Sequence, residues 1–201
     1  MYQQGSNHHF EREAKIIWKY FEKCLKDDIK PFKYRHRALA WSCGSTYYDN
    51  STNWLYQCWG IMTVINMDSL TGHNIVDTEN RDEMMSDLAD LHARTPMRTH
   101  TVGGNRHILM MFETAAKFNC DMIVMYDDIG CKGMAGCQGL LEEEFRKHPE
   151  FHFMWMPHAR MDCRTVPTAE ARKVVNDYMT TVLHEEPVDP SLVDFDDSEG
   201  W

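Results

Sequence analysis

Two aspartates and a nearby cysteine make YDDIGCKGMAGC, residues 126–137, the stretch best equipped for chemistry. Asp127 and Asp128 directly follow an apolar run, and carboxylates at the end of a strand can hold Mg²⁺ together with a phosphate substrate. Alternatively, one aspartate caps the loop and the other is solvated. Neither GxxxxGK[ST] nor GxGxxG follows the two carboxylates, so the sequence gives only weak support for phosphoryl transfer.

Cys131 lies between Gly130 and Lys132, ahead of a helix that we predict to begin near Gly136. Free N–H groups and the dipole at a helix N-terminus favour the thiolate, the form that acts as a nucleophile or a metal ligand. A cysteine that only packs in a loop is the alternative. Five residues separate Cys131 from Cys137, unlike the CxxC pairs of zinc sites and redox dithiols. We therefore predict Cys137 to be a packed thiol.

A second group of polar residues occurs in MPHARMDCR at 156–164. Arg164 could grip a carboxylate or phosphate through two parallel hydrogen bonds, with His158 nearby. An ion pair between Asp162 and Arg164 that fixes its own loop explains the pattern equally well. We interpret Cys163 as structural.

Apolar strands alternate with helical patterns along the chain, which predicts an α/β fold with a parallel sheet. IMTVIN at 61–66 and MIVMYD at 122–127 are continuous apolar runs, typical of strands covered on both faces. YRHRALAW at 34–41 and FHFMWMP at 151–157 complete a set of about four strands. Right-handed crossovers predict an open, doubly wound, mostly parallel sheet of the flavodoxin-like type.

The loops that follow these strands carry the polar residues described above. In an open parallel sheet, ligands bind outside the carboxyl ends of the strands, where the strand order reverses. The loops at 126–137 and 156–164 fall on that edge, and so does AWSCGS at 40–45, which contains Cys43. We expect these three loops to form the binding site.

The chain divides by pattern into three parts. Residues 1–30 form an N-terminal helix and linker, since apolar side chains recur there at roughly helical spacing. Residues 31–184 form the α/β domain. Residues 185–201, EEPVDPSLVDFDDSEGW, form an extended acidic tail, because they contain two prolines and lack periodicity. A solvated or partner-draped extension is favoured over a packed segment.

The composition limits the partners and the compartment. With 31 acidic and 21 basic side chains, the chain lacks the positive surface that a nucleic-acid partner requires. It has no apolar run of about 20 residues that would span a membrane, and no hydrophobic signal core. Seven irregularly spaced cysteines argue against a disulfide framework, so we expect a cytoplasmic protein with free thiols.

The combination of GCK at 130–132 with DCRTVPTAEAR at 162–172 resembles the C-terminal region of the 2-hydroxyacyl-CoA dehydratase and benzoyl-CoA reductase family. The order of an apolar strand, the GCK loop, a helix, a strand and a long closing helix is also similar, and the resemblance covers roughly residues 10–184. It implies a subunit, or the C-terminal part, of an enzyme that dehydrates or reduces a CoA thioester. The family uses single electrons that a separate ATP-hydrolysing activator protein delivers.

The same resemblance implies a [4Fe–4S] cluster in each core subunit, with Cys131 at the position of one cysteine ligand. Gly130 and Asp128 would shape the cluster loop. Our hypothesis also places Lys132 among the residues that shape this loop, and it gives catalytic roles to Lys132 and to a histidine and an arginine in the next loop. Those two residues, His158 and Arg164, would orient neighbouring loops or the acyl-CoA substrate.

The remaining cluster cysteines belong, in the family, to an additional N-terminal domain that 201 residues cannot contain. Cys24 and Cys43 are not obvious replacements. We therefore expect a homologous or cluster-completing partner subunit, a split or fragmentary subunit, or a lost cluster. The rival hypothesis is a non-catalytic assembly subunit that holds no cluster of its own.

Overall fold

The structure is a computed structural model that describes residues 8–29, 33–42, 50–70, 76–94, 96, 105–159, 162 and 164–195. The chain forms two compact units, Met1–Lys33 and Tyr34–Trp201. The first unit contains helix α1, His8–Lys26, which carries Lys23 and Lys26 in its last turn. Basic side chains at that end stabilise the helix dipole.

The second unit is built on a four-stranded, fully parallel sheet with the strand order β2-β1-β3-β4. The strands are β1 His36–Trp41, β2 Ile61–Asn66, β3 Met122–Asp128 and β4 His152–His158. The chain moves outward from β1 to β2 and then returns past β1 to β3, so the strand order reverses between β1 and β3. The predicted open, doubly wound, flavodoxin-like sheet is confirmed.

Helices cover both faces of this sheet. The helices of this unit are α2 Ser51–Trp59, α3 Arg81–Ala93, α4 Asn105–Lys117, α5 Lys132–Phe145 and α6 Thr168–Asp177, and a π-helical turn, Tyr178–Val182, continues α6. Short 3₁₀ turns occur at Met67–Ser69 and Pro190–Leu192. Helices α2 and α6 pack on one face of the sheet, and α4 and α5 pack on the other.

Strand β3 is covered by helices on both faces, and its sequence is a continuous apolar run. Met122, Val124 and Tyr126 face α2 and α6, whereas Ile123 and Met125 face α4 and α5. All five side chains are at most 1% exposed. Because successive strand residues point to opposite faces, a strand covered on both faces must be apolar at every position.

Helix α5 begins at Lys132, four residues before the predicted start near Gly136. The N–H of Ala135 donates to the carbonyl of Cys131 at 3.1 Å, so the helical hydrogen bonds start there. The prediction was wrong because it assigned residues 132–135 to the loop and not to the helix. Met134 and Leu141 are buried one heptad apart on the α5 surface, and this packing overrides the low helix propensity of glycine.

The C-terminal segment packs against the sheet domain. The N–H of Val188 donates to the carbonyl of Cys58 at 2.7 Å, and Trp54 Nε1 donates to the carbonyl of Leu192 at 2.8 Å. Leu192 and Val193 also pack against the core on the side of α2 and α6. Residues 185–195 therefore form a packed segment, whereas the sequence favoured a solvated or partner-draped extension. Residues 196–201 lie outside the described residues.

Candidate functional site

The loop after β3 is held in place by three backbone donors. The N–H of Ile129 donates to the carbonyl of His158 at 3.1 Å, which joins this loop to the end of β4. The N–H of Cys131 donates to the carbonyl of Asp128 at 2.8 Å, and the N–H of Gly130 donates to Asp128 Oδ1 at 3.1 Å. The turn therefore places Cys131 at the carboxyl edge of the sheet, beside the reversal of strand order.

Cys131 is the N-cap of α5, with φ −95° and ψ 97°. Its thiol is free and partly exposed, and it makes no capping hydrogen bond of its own. The side chain borders the core between the sheet and α4 and α5. Cys131 therefore lies at the N-terminus of α5, at the carboxyl edge of the sheet, and its role as a ligand stays a prediction.

Lys132 is the first residue of α5 and is exposed. A cation at this end of a helix is unfavourable for the helix dipole. The lysine therefore does not stabilise α5, and an anionic ligand at the edge would offset the unfavourable position. Its role in the site remains a prediction.

The two aspartates at the end of β3 differ in environment. Asp128 caps the loop by accepting the N–H of Gly130, which agrees with the alternative that one of the two aspartates is a cap. Asp127 is half-buried, and burial, followed by the negative charge of Asp128, raises the pKa of its carboxyl group. The ionised form of Asp127 is therefore less well solvated than that of a fully exposed carboxylate.

His158 ends β4 and is 5% exposed. Its ring meets the ring of Tyr126 edge-on, with centroids 5.7 Å apart, and Tyr126 faces α2 and α6. Cys131 instead borders the side of α4 and α5. The structure thus brings both residues to one edge of the sheet but on opposite faces, connected through the bond from Ile129 to the His158 carbonyl.

Arg164 and Asp162 form the loop-fixing pair that was one of the two alternatives. Arg164 Nε donates to Asp162 Oδ1 and Nη2 to Oδ2, both at 2.8 Å. These bonds lower the pKa of Asp162 to about 2. The arginine side chain is 86% exposed, so the pair is a surface clamp of the loop after β4. Cys163 and Cys43 lie outside the described residues.

Sequence reasoning missed a polar contact at the end of β1. Trp41 Nε1 donates to His107 Nε2 at 2.8 Å, and both residues are buried. The next residue, Ser42, is buried and has φ 73°, a left-handed conformation that is costly for a residue other than glycine. A tryptophan at the last position of a buried strand was the available signal, because a buried indole N–H needs an acceptor.

The other described cysteines contribute little to this edge. Burial raises the pKa of Cys58 and of Cys120 to about 11, which disfavours their thiolates. Cys137 packs against the core beside α4 and α5, in agreement with the prediction of a packed thiol. Within the described ranges, Cys131 is the one cysteine in the loops of the carboxyl edge, and a [4Fe–4S] cluster takes about four ligands. These residues alone therefore do not build a complete cluster site.

The described helices include none that is both long and apolar enough to cross a membrane. A family model described as 2-hydroxyglutaryl-CoA dehydratase, D-component, matches residues 4–171. The match includes GCK at 130–132 and most of the DCRTVPTAEAR motif. No curated protein and no solved structure matches the chain.

Proposed function

Because the chain belongs to the family of the 2-hydroxyglutaryl-CoA dehydratase D-component, we propose that it is a subunit of a complex that dehydrates a 2-hydroxyacyl-CoA thioester. Reduction of an aromatic ring, as in benzoyl-CoA reductases, is the second activity implied by the sequence resemblance. The description of the matching family names a dehydratase, which favours dehydration.

Cys131 is the metal ligand that this chain contributes. The observation that carries the proposal is its position as the partly exposed N-cap of α5 at the carboxyl edge of the sheet. A [4Fe–4S] cluster bound there would supply single electrons for the reaction of the thioester. Since one thiol is too few for a cluster, the other ligands come from a partner chain, or from residues outside the described ranges.

The neighbouring residues shape the loop that presents this thiol. Asp128 fixes the turn by accepting the N–H of Gly130 at 3.1 Å. His158 acts through its backbone carbonyl, which accepts the N–H of Ile129 at 3.1 Å, because its ring is buried against Tyr126. Lys132, exposed beside the thiol, meets the anionic part of the ligand or substrate. Arg164 acts indirectly, by holding the loop after β4 through Asp162.

Two further partners belong to the proposal. An ATP-hydrolysing activator delivers electrons to the complex, and an acyl-CoA binds at the edge where the strand order reverses. That crevice is the usual ligand position in an open parallel sheet. Strand β1 also ends at this edge, but residues 43–49, which follow it, lie outside the described ranges.

The decisive experiment is an iron and sulfide measurement on the complex. The chain is produced anaerobically with the proteins encoded by its neighbouring genes, and the complex is purified without oxygen. We expect about four iron atoms and four sulfides per cluster, and loss of both, together with dehydration of a 2-hydroxyacyl-CoA, in Cys131→Ala.

Cys137→Ala is the matched control, because Cys137 is an equally partly buried thiol that lies within α5 and not in the loop at the carboxyl edge. It should keep its iron and its activity, and circular dichroism should show that both variants are folded. A complex without iron, or Cys131→Ala with unchanged iron and activity, would overturn the proposal. Either result would favour the non-catalytic assembly subunit.

A further inference from the structure

Three potential metal ligands meet at the opposite edge of the sheet, where the strands begin. His36 is the first residue of β1, Asp121 directly precedes β3, and His152 is the first residue of β4. Each offers a ligand atom, and these atoms all lie within 4.8 Å of one another. The site is distinct from the carboxyl edge that contains Cys131.

The sheet fixes the spacing of these three residues. Strands β1, β3 and β4 are neighbours, and Met122 pairs with Ala38 on one side and with His152 on the other. Each ligand is therefore attached to a strand whose position is set by backbone hydrogen bonds. Ligands on paired strands hold their geometry better than ligands on loops.

His36 is the buried centre of this group. Its Nδ1 lies 2.7 Å from Asp121 Oδ2, and its Nε2 lies 2.9 Å from Glu185 Oε1. The His36 ring meets the His152 ring edge-on, with centroids 5.6 Å apart. The His36 side chain is 8% exposed and that of Asp121 is 43% exposed, so the group opens to solvent on the side of Asp121.

Asp121 is oriented so that one oxygen remains directed at His36. Its Oδ1 accepts the backbone N–H of Arg37 at 2.6 Å. This bond fixes the carboxylate and leaves Oδ2 towards the imidazole. A carboxylate anchored through one oxygen suits a metal ligand that binds through the other.

We propose that His36, Asp121 and His152 bind a divalent transition metal of the Zn²⁺ type. Two imidazoles and a carboxylate form a ligand set that such cations prefer, and three protein ligands leave a position for water. Ligand atoms about 2.0–2.1 Å from a tetrahedral ion lie roughly 3.3 Å apart. Asp121 Oδ2 and His36 Nδ1 must therefore separate by about 0.6 Å from their 2.7 Å contact, a small side-chain movement.

Glu185 supplies the supporting contact that metal-bound histidines usually have. A ligating histidine commonly donates its second ring N–H to a carboxylate, which fixes the tautomer and the ring orientation. Glu185 Oε1 is in that position on His36 Nε2, and Glu185 Oε2 is held 3.5 Å from Arg35 Nη1. Because Glu185 belongs to the C-terminal segment, the metal would link that segment to the start of β1.

Co²⁺ is the probe that separates this site from the seven cysteines. The chain is stripped of metal, its thiols are kept reduced, and Co²⁺ is titrated while visible and near-ultraviolet spectra are recorded. We expect one equivalent to bind, with visible d–d bands and without the thiolate-to-cobalt charge-transfer absorption that a cysteine ligand produces. Zn²⁺ should displace it and, at 100 times its Kd, raise the melting temperature by about 5 to 10 °C.

Single substitutions identify the ligands. His152→Ala, at an exposed position, should weaken Co²⁺ binding by about 100-fold or more, and Glu185→Gln should weaken it by roughly 10- to 100-fold. His92→Ala, which removes an exposed histidine of α3, is the control and should bind Co²⁺ like the wild type. Charge-transfer absorption from a thiolate, no binding, or unchanged binding by His152→Ala would each overturn the proposal.

Discussion

Cys131 follows β3 and His158 is the last residue of β4, so both lie at the same edge of the sheet, yet they lie on opposite faces. His158 continues the alternation of Met154 and Met156, which face α2 and α6, whereas Cys131 caps a helix on the other face. One substrate atom therefore does not meet both side chains. This separation is the physical reason to assign His158 a loop-positioning role through its carbonyl, and to look for reacting groups around Cys131.

At the residue scale, the pair of Asp162 and Arg164 gives a direct titration test. The guanidinium of Arg164 donates two hydrogen bonds of 2.8 Å to the Asp162 carboxylate, and the backbone N–H of Arg164 donates a third. These bonds favour the ionised carboxyl and lower the pKa of Asp162 to about 2. Carboxyl NMR of the wild type should show this value, and Arg164→Ala should return the pKa towards the ordinary range. At pH values above the ordinary aspartate pKa, the ion pair contributes fully to the stability of the loop. This contribution is lost as the pH falls through the pKa of about 2.

Arg146→Ala is the control for that titration. Arg146 is an exposed arginine at the end of α5, so its removal changes the net charge equally without touching Asp162. Two results would show that the ion pair does not persist in solution. One is an Asp162 pKa in the ordinary range in the wild type, and the other is an equal shift of this pKa in Arg164→Ala and Arg146→Ala.

At the element scale, the strands were more predictable than the helix ends and the site. The prediction of β2 at 61–66 is confirmed to the residue, although β2 lies at the edge of the sheet and only Ile61 is buried, so it is not covered on both faces as its apolar run indicated. The start of α5 was misplaced, since glycine propensity is local whereas the burial of Met134 and Leu141 depends on the folded sheet. The half-buried state of Asp127 and the contact between Trp41 and His107 likewise arise from residues distant in sequence.

Glycine substitutions test two helix positions with opposite expected signs. Gly60 ends α2 with φ 73°, and a Cβ there would lie 3.3 Å from Arg35 Cγ, so Gly60→Ala should lower the free energy of unfolding by about 1 to 2 kcal/mol. Gly139 lies inside α5, and a Cβ there meets nothing within 4 Å. Gly139→Ala should therefore raise the free energy of unfolding by about 0.5 to 1 kcal/mol.

Urea denaturation of the two variants measures these changes. Gly60→Ala and Gly139→Ala serve as controls for each other, because each adds one methyl group to a glycine and only the backbone position differs. Equal effects of the two substitutions would contradict the assigned conformations at the end of α2 and within α5.

At the scale of the whole molecule, the C-terminal segment completes the face of the sheet covered by α2 and α6. The Arg172 guanidinium lies over the ring of Trp54 at 5.1 Å and near the ring of Phe195 at 5.8 Å, and it donates to the carbonyl of Phe195. Asn176 Nδ2 donates to the carbonyl of Val193 at 3.1 Å. An acidic composition predicted solvation of this segment, but its few apolar residues and its backbone carbonyls find partners on α2 and α6.

Trp54→Phe should reveal how much this contact stabilises the domain. The substitution removes the Nε1 donor to the Leu192 carbonyl and part of a ring that is 3% exposed, so we expect a loss of about 1 to 3 kcal/mol in the free energy of unfolding. Trp18→Phe is the matched control, because Trp18 Nε1 donates to Glu22 within α1, and it should change this value by less than about 0.5 kcal/mol. Urea denaturation followed by circular dichroism measures both, and an unchanged value for Trp54→Phe would mean that the C-terminal segment does not rest on α2 in solution.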